Sequence, residues 1–157
     1  MPILMAVAVA VPAGAEEHGM DIEQRASAEI IELHRFFENW YRGRLEEREI
    51  ARFERALGED FTIVLPGAEK LSRGRILEAV REARGSDENA RIRIDNVRVH
   101  QFGPGFAVAT YEEWQALAGA PERGRLSTVV FGFDDAAPNG LVWLHVHETW
   151  LPERQDG

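Results

Sequence analysis

The sequence predicts an α+β fold in which the helices come first and the strands last. Apolar residues recur at three- and four-residue spacing from Asp21 to Leu57 and again after Ser72, which is the signature of one buried helix face. From Arg91 onward they alternate with polar residues or gather in β-branched and aromatic runs. Two turn signals, Gly103-Pro104-Gly105 and Pro138-Asn139-Gly140, break that second half into strands. Helices and strands that segregate along the chain mark the α+β class.

The elements follow in order. A long amphipathic helix starts at Asp21, a good N-cap, and stops at Gly43, with Ile22, Ala26, Ile30, Leu33, Phe37 and Trp40 or Tyr41 on its inner face. A second helix runs from about Glu46 to Leu57 and ends at Gly58. Phe61–Leu65 is a short strand stopped by Pro66-Gly67. Ser72 caps a third helix over Arg73–Arg84, apolar at Ile76, Leu77, Val80 and Ala83. Four antiparallel strands complete the chain: Arg91–Phe102, Phe106–Leu117, Leu126–Phe133 and Leu141–Leu151. The first changes parity at Asp95-Asn96, which predicts a bulge or bend.

At 157 residues the chain is long enough for one domain with its own core. A formal net charge of −9 argues against nucleic acid or an anionic membrane as the main partner, since both require a basic face. Without cysteine there is no disulfide framework, thiolate metal site or cysteine nucleophile. Ile3–Val11 is apolar and Ala13-Gly14-Ala15 resembles a cleavage site, but the basic start of a secretory signal is missing and the run is too short to span a bilayer. Of a weak signal peptide, a flexible tail and a start assigned ahead of Met20, the tail is the preferred reading. It gives a tail over residues 1–20, one domain over 21–152, a short tail over 153–157, and a cytoplasmic protein.

The last strand carries the most suggestive chemistry. Strict alternation puts Trp143, His145, His147 and Thr149 on one face and Val142, Leu144, Val146, Glu148 and Trp150 on the other. Neither face is plainly polar, so both are expected to be covered. A single bulge between Val142 and His147 would keep the two imidazoles together and turn both outward.

Three stretches, Glu59-Asp60-Phe61-Thr62, Leu71-Ser72-Arg73-Gly74-Arg75-Ile76 and Trp143-Leu144-His145-Val146-His147-Glu148-Thr149, resemble segments of the nuclear transport factor 2-like superfamily. That group includes ketosteroid isomerases, SnoaL-like cyclases and kinase association domains. The resemblance covers Asp21 to Pro152. It implies a cystatin-like α+β roll: a cone-shaped, bent antiparallel sheet wrapped around the long helix, with an apolar cavity at its open end. It also implies a homodimer formed through the outer sheet face. The aspartate base and tyrosine–aspartic acid pair of the steroid isomerases find no counterpart. Tyr41 and Tyr111 are the only tyrosines, and neither lies in a matching motif.

Candidate site residues follow. His147 is the acid/base group with Glu112 as its carboxylate partner, and His145 is an orienting or ligand-contacting residue. Glu112 and its neighbour Glu113 point to opposite faces, and whichever enters an apolar cavity acquires a raised pKa through desolvation. Phe37, Trp40, Tyr41, Trp114 and Trp143 are the expected aromatic lining. Each has a plainer reading as core or solvated surface. The histidine pair could also be half of a metal site, but no metal and no cofactor is expected. The favoured function is a SnoaL-like domain binding a small apolar molecule. The alternatives are a cofactor-free isomerase, dehydratase or cyclase acting on an apolar carbonyl compound, and a dimerisation module.

Overall fold

The structure, a computed structural model, describes residues 13–154, with side chains described from residue 21. The apolar run Ile3–Val11 and the last residues of the expected C-terminal tail lie outside the described residues. Helix α1 (Ala13–Tyr41) starts ahead of Asp21. Asp21 is therefore an interior residue rather than the expected cap, and it pairs with Arg25 one turn along at 3.5 Å. The stripe Ile22, Ala26, Ile30, Leu33 and Trp40 is buried against the sheet. The helix ends at Gly43, whose φ of +73° suits a residue without Cβ. Gly43 also packs against Gly85 after the third helix, where an added Cβ would stand 3.3 Å from the Gly85 Cα.

The expected second helix is divided. A 3₁₀ turn (Glu47–Ile50), closed by Glu49 accepting the Glu46 N–H at 2.6 Å, leads into α2 (Ala51–Ala56). Leu57 is already extended and opens β1 (Leu57–Val64), so Gly58 is a strand residue rather than a helix stop. After β2 (Lys70–Ser72), which alternation did not reveal, Ser72 caps α3 (Arg73–Glu82) by accepting the Arg75 N–H at 3.4 Å. Strands β3 (Arg91–Gly103), β4 (Phe106–Ala116), β5 (Arg123–Phe133) and β6 (Leu141–Trp150) form the meander. The expected irregularity in β3 is present: its register shifts between Asp95 and Arg98, and Asn96 has φ +52°.

The six strands make one open sheet in the order β2-β1-β6-β5-β4-β3. Every pairing is antiparallel except one: β1 runs parallel to β6, where an antiparallel sheet throughout was expected. The chain leaves β1 through β2 and α3 and enters the meander at its far edge. Its last strand thus returns beside β1 in the same direction. Ala107, Ala109, Val129, Phe131, Leu141, Trp143 and Val146 form the concave face and are buried together with the stripe of α1.

A fully buried carboxylate ties three of these elements together. Glu29 of α1 takes both guanidinium nitrogens of Arg52 from α2 at 3.2 and 2.7 Å, the Asn139 amide at 2.9 Å and the Trp143 indole N–H at 2.9 Å. Every lone pair of Glu29 that packing removes from water thus meets a donor.

Strand β6 contains the bulge that decides its faces. Phe131 pairs with Trp143 but Val130 pairs with His145, so Leu144 is an extra residue. Leu141 and Trp143 point inward, and beyond the bulge the buried residues are Val146 and Glu148. The Leu144 side chain lies over Gly58 and Gly132 on the flanking strands, where an added Cβ would stand 3.2 and 3.3 Å from it. Two glycines leave the room that the bulged leucine occupies.

Candidate functional site

The concave face, α1, α2 and α3 enclose a cavity of about 120 Å³. One side is apolar, with Leu33, Phe37, Phe53, Phe61, Ile63 and Val146. The other carries His34, Tyr41, Tyr111, Glu113, Gln115, Arg125 and Glu148. Half-buried Ile63, Leu65, Ile76 and Tyr41 mark its solvent side.

Apart from the two tyrosines, the polar residues and Ser127 form one continuous hydrogen-bonded chain. His34 Nδ1 lies 2.7 Å from the Ile30 carbonyl, which can only accept, so Nδ1 carries a hydrogen. His34 Nε2 then faces Glu113 Oε2 at 3.3 Å. A second proton sits between those two atoms, because a bare imidazole lone pair would oppose the carboxylate. The Gln115 amide donates to Glu113 Oε1, and the Gln115 carbonyl accepts from Arg125 Nη2 at 2.9 Å. Arg125 Nη1 donates to Glu148 Oε1 at 2.9 Å, and Ser127 Oγ donates to Glu148 Oε2 at 2.8 Å. Strand register sets this order. Glu113 stands opposite Arg125 across β4 and β5, and Tyr111, Ser127 and Glu148 form one row across β4, β5 and β6.

The two carboxylates lie in different fields. Burial pushes the Glu113 carboxyl up, but the His34 imidazolium, helped by Arg125 and the Gln115 amide, outweighs it and holds the group at about 2. Burial pulls His34 down while the Glu113 charge and hydrogen bond more than restore it, so its pKa is raised. Burial raises Glu148, and the Glu113 charge adds to that against Arg125 and Ser127. Burial keeps both tyrosine hydroxyls protonated: Tyr41 is pushed up to about 12 and Tyr111 well above its ordinary value.

Of the residues singled out in the sequence, Phe37, Tyr41 and Trp143 line the cavity. The histidine pair does not. The bulge at Leu144 turns His145 and His147 to the outer face, where their rings sit 6.5 Å apart and His145 Nδ1 shares a 2.8 Å hydrogen bond with Thr62. Glu112 is also outward and accepts from the Trp114 indole at 3.2 Å; its neighbour Glu113 is the carboxylate that enters. The expected raised pKa is reversed at Glu113, because an imidazolium overrides desolvation there. Trp114 is buried on the outer face under the guanidiniums of Arg154, at 4.3 Å, and Arg93, at 5.6 Å. Trp40 is core: its indole donates to the Val80 carbonyl at 2.6 Å beneath α3. His34, Gln115, Arg125 and Glu148 were missed. A signal for His34 existed, since it is a titratable residue inside the apolar stripe between Ile30 and Phe37. Among the described residues, no group of three or more His, Asp or Glu is placed to hold a metal ion, and no helix is long and apolar enough to cross a membrane.

Solved structures share this architecture. A nuclear transport factor 2-like protein of unknown function from Pseudomonas aeruginosa is 29% identical, with a TM-score of 0.75 over 82% of this chain and 99% of that one. A CaMKII hub from S. rosetta, 17% identical, matches 90% of this chain and 98% of its own at a TM-score of 0.55, which speaks for the fold alone. The nuclear transport factor 2-like, cystatin-like α+β roll anticipated from the sequence is therefore the fold of this chain. In sequence the chain is 27% identical to sucrose-phosphatase 2 of Nicotiana tabacum over 78% of its length. It spans about 30% of the length of the curated relatives it matches. Residues 26–152 match the family described as sucrose-6-phosphate phosphohydrolase C-terminal, and with most of the chain covered, the chain belongs to that family.

Proposed function

We propose that this chain is a small-molecule-binding domain whose ligand lies in the cone, its apolar part against Phe37, Phe53 and Phe61 and its polar end against the charged wall. The observation that carries this reading is the juxtaposition of that wall with an apolar half in one cavity. It refines the expected apolar ligand to one with a polar end. Size limits the choice further. Pockets that bury drug-sized ligands measure roughly 300–1,000 Å³, and an engineered cavity of about 150 Å³ in another protein holds benzene. A cavity of about 120 Å³ therefore suits a molecule of benzene size or below. The relatives named sucrose-phosphatases support a role beside sugar-phosphate hydrolysis, but a disaccharide is too large to be the cavity's occupant. Phenol, with one apolar ring and one hydroxyl, is the probe. Saturable binding by calorimetry is expected in the wild type and loss of binding in Ile63→Phe, which fills the cavity from its half-buried side. No saturation by phenol, or equal affinity in a folded I63F variant, would overturn the reading.

A second reading, self-association through the outer sheet face, is favoured by one observation. Leu126 and Leu144 are exposed there beside half-buried Val130 and Val142. The wild type is expected to sediment as a dimer at micromolar concentration and Leu126→Glu/Leu144→Glu as a monomer; a wild-type monomer would remove this reading.

A further inference from the structure

We propose that His145 and His147 are half of a metal site: the pairs from two copies of this chain together hold one zinc-class divalent cation at the centre of a sheet-to-sheet contact. This rests on the self-association reading above and adds to it the ion that completes the interface.

Neutral imidazole is a ligand that suits zinc, nickel and copper alike. Here two imidazoles project from one strand. Beyond the bulge at Leu144, His145 and His147 share the outer face with their rings 6.5 Å apart. Zinc–nitrogen bonds of about 2.0–2.1 Å let one ion reach both rings after a small rotation of the exposed His147. Thr62 orients the other ring. Its Oγ1 lies 2.8 Å from His145 Nδ1 and can accept a hydrogen from that nitrogen, which leaves the lone pair on Nε2 for the ion. The residues in register beside the pair are Thr62 and Val64 of β1 and Thr128 and Val130 of β5. All four are uncharged, so none of them repels a cation.

One chain does not finish the site. Among the described residues no third His, Asp or Glu joins the pair to hold a metal ion, whereas a structural zinc ion takes four ligands. A second copy supplies the missing two. Strand β6 is one of the two central strands of the sheet, and along it the pair lies between the level of Leu144 and that of Leu126 on β5. Both leucines are exposed, at 40% and 38%. An interface made by the same patch of two copies sets the residues at its centre against their own counterparts. Covering the two leucines in that way brings the two histidine pairs face to face. Charge favours an ion there as well. Each copy carries a formal −9, and a divalent cation at the contact offsets the repulsion between them.

Sedimentation velocity on the untagged full-length chain, with zinc chloride or with EDTA, tests this. Zinc is expected to tighten the dimer by about 10-fold or more and to saturate in calorimetry at one ion per two chains. Magnesium, which prefers oxygen ligands, should do neither. His145→Ala and His147→Ala should each abolish the zinc effect and keep the association seen in EDTA. If either variant fails to fold, the wild-type stoichiometry decides. Saturation at one ion per chain, or a zinc effect that survives in either folded variant, overturns the proposal. A wild-type dimer that zinc leaves unchanged overturns the metal site and leaves the self-association reading standing. A monomer both with zinc and with EDTA overturns both.

Discussion

Replacing Glu29 with methionine keeps the volume of the side chain and removes its acceptors, which exposes how much the buried clasp contributes. Four hydrogen bonds are lost, to Arg52 twice, Asn139 and Trp143. The donors are not equally stranded. Asn139 already donates to Glu32 at 2.9 Å, and Arg52 lies 3.9 Å from the same carboxylate with its side chain 20% exposed, so both keep a partner. The Trp143 indole is buried and has none, a loss of about 1–3 kcal/mol. Breaking a buried ion pair from one side costs about 3–5 kcal/mol in general. The retained Glu32 contacts place this case near the lower end, at about 3 kcal/mol. For a domain of this size that corresponds to a drop in Tm of about 6–12 °C. Urea and thermal unfolding at neutral pH, followed by tryptophan fluorescence, measure it. Glu29→Gln keeps one acceptor oxygen and should lose about half as much. Glu29→Met/Arg52→Met should recover part of the loss, because no unpaired cation remains. A single Glu29→Met variant within about 1 kcal/mol of the wild type would refute the assignment of Glu29 as a stabilising clasp.

The remaining expectations concern other parts of the fold. The folded-state value of Glu113, about 2 against an ordinary 4.5, makes its pairing contribute fully above pH 4.5 and vanish as the pH falls through about 2. Urea midpoints should decline over that acid window, and Glu113→Gln should flatten the decline; an unchanged slope in the variant would deny the pair its role. At the other end, the raised His34 contributes below 6.5 and loses that contribution as the pH passes its folded value, so His34→Asn should remove a step on the alkaline side of 6.5. Gly124→Ala would place a Cβ 2.6 Å from the Trp114 ring, which two guanidiniums already cover, and should cost about 1–3 kcal/mol. Trp40→Phe removes the indole hydrogen bond to the Val80 carbonyl, which keeps only the Ala83 N–H at 3.1 Å, and should loosen α3, seen as faster amide exchange in Leu77–Glu82 than in β5.

Much of the architecture was legible because period and punctuation agreed. The stripe from Ile22 to Trp40, the serine ahead of Arg73 and the parity slip at Asp95-Asn96 each have a local physical cause that survives in the fold. The interior chemistry was less legible because it depends on parity, which a single extra residue reverses. Nothing at Leu144 itself announces a bulge. The two glycines that make room for it, Gly58 and Gly132, are distant in sequence and become meaningful only once β1, β6 and β5 are paired. Glu112 and Glu113 posed the same problem on β4, where the buried alanines at 107 and 109 mark the inward parity only after α1 is seen against them. The polar members of the α1 stripe were a readable sign that went unused: Glu29 and His34 both lie among its apolar residues, and both proved to be buried ends of networks.

Losing Leu144 would restore strict alternation and leave every neighbour on its present side, with Trp143 still inward, His145 still outward and Glu148 still in the cavity wall. Losing Val146 instead would put His147 in its place and turn Glu148 out, which exchanges a carboxylate for an imidazole without any substitution. The strand therefore carries one residue that its interior does not need and its exterior does, since Leu144 fills the hollow over Gly58 and Gly132. Shortening by one codon at that point edits only the outer surface, while the same shortening two positions later rewrites the inner one.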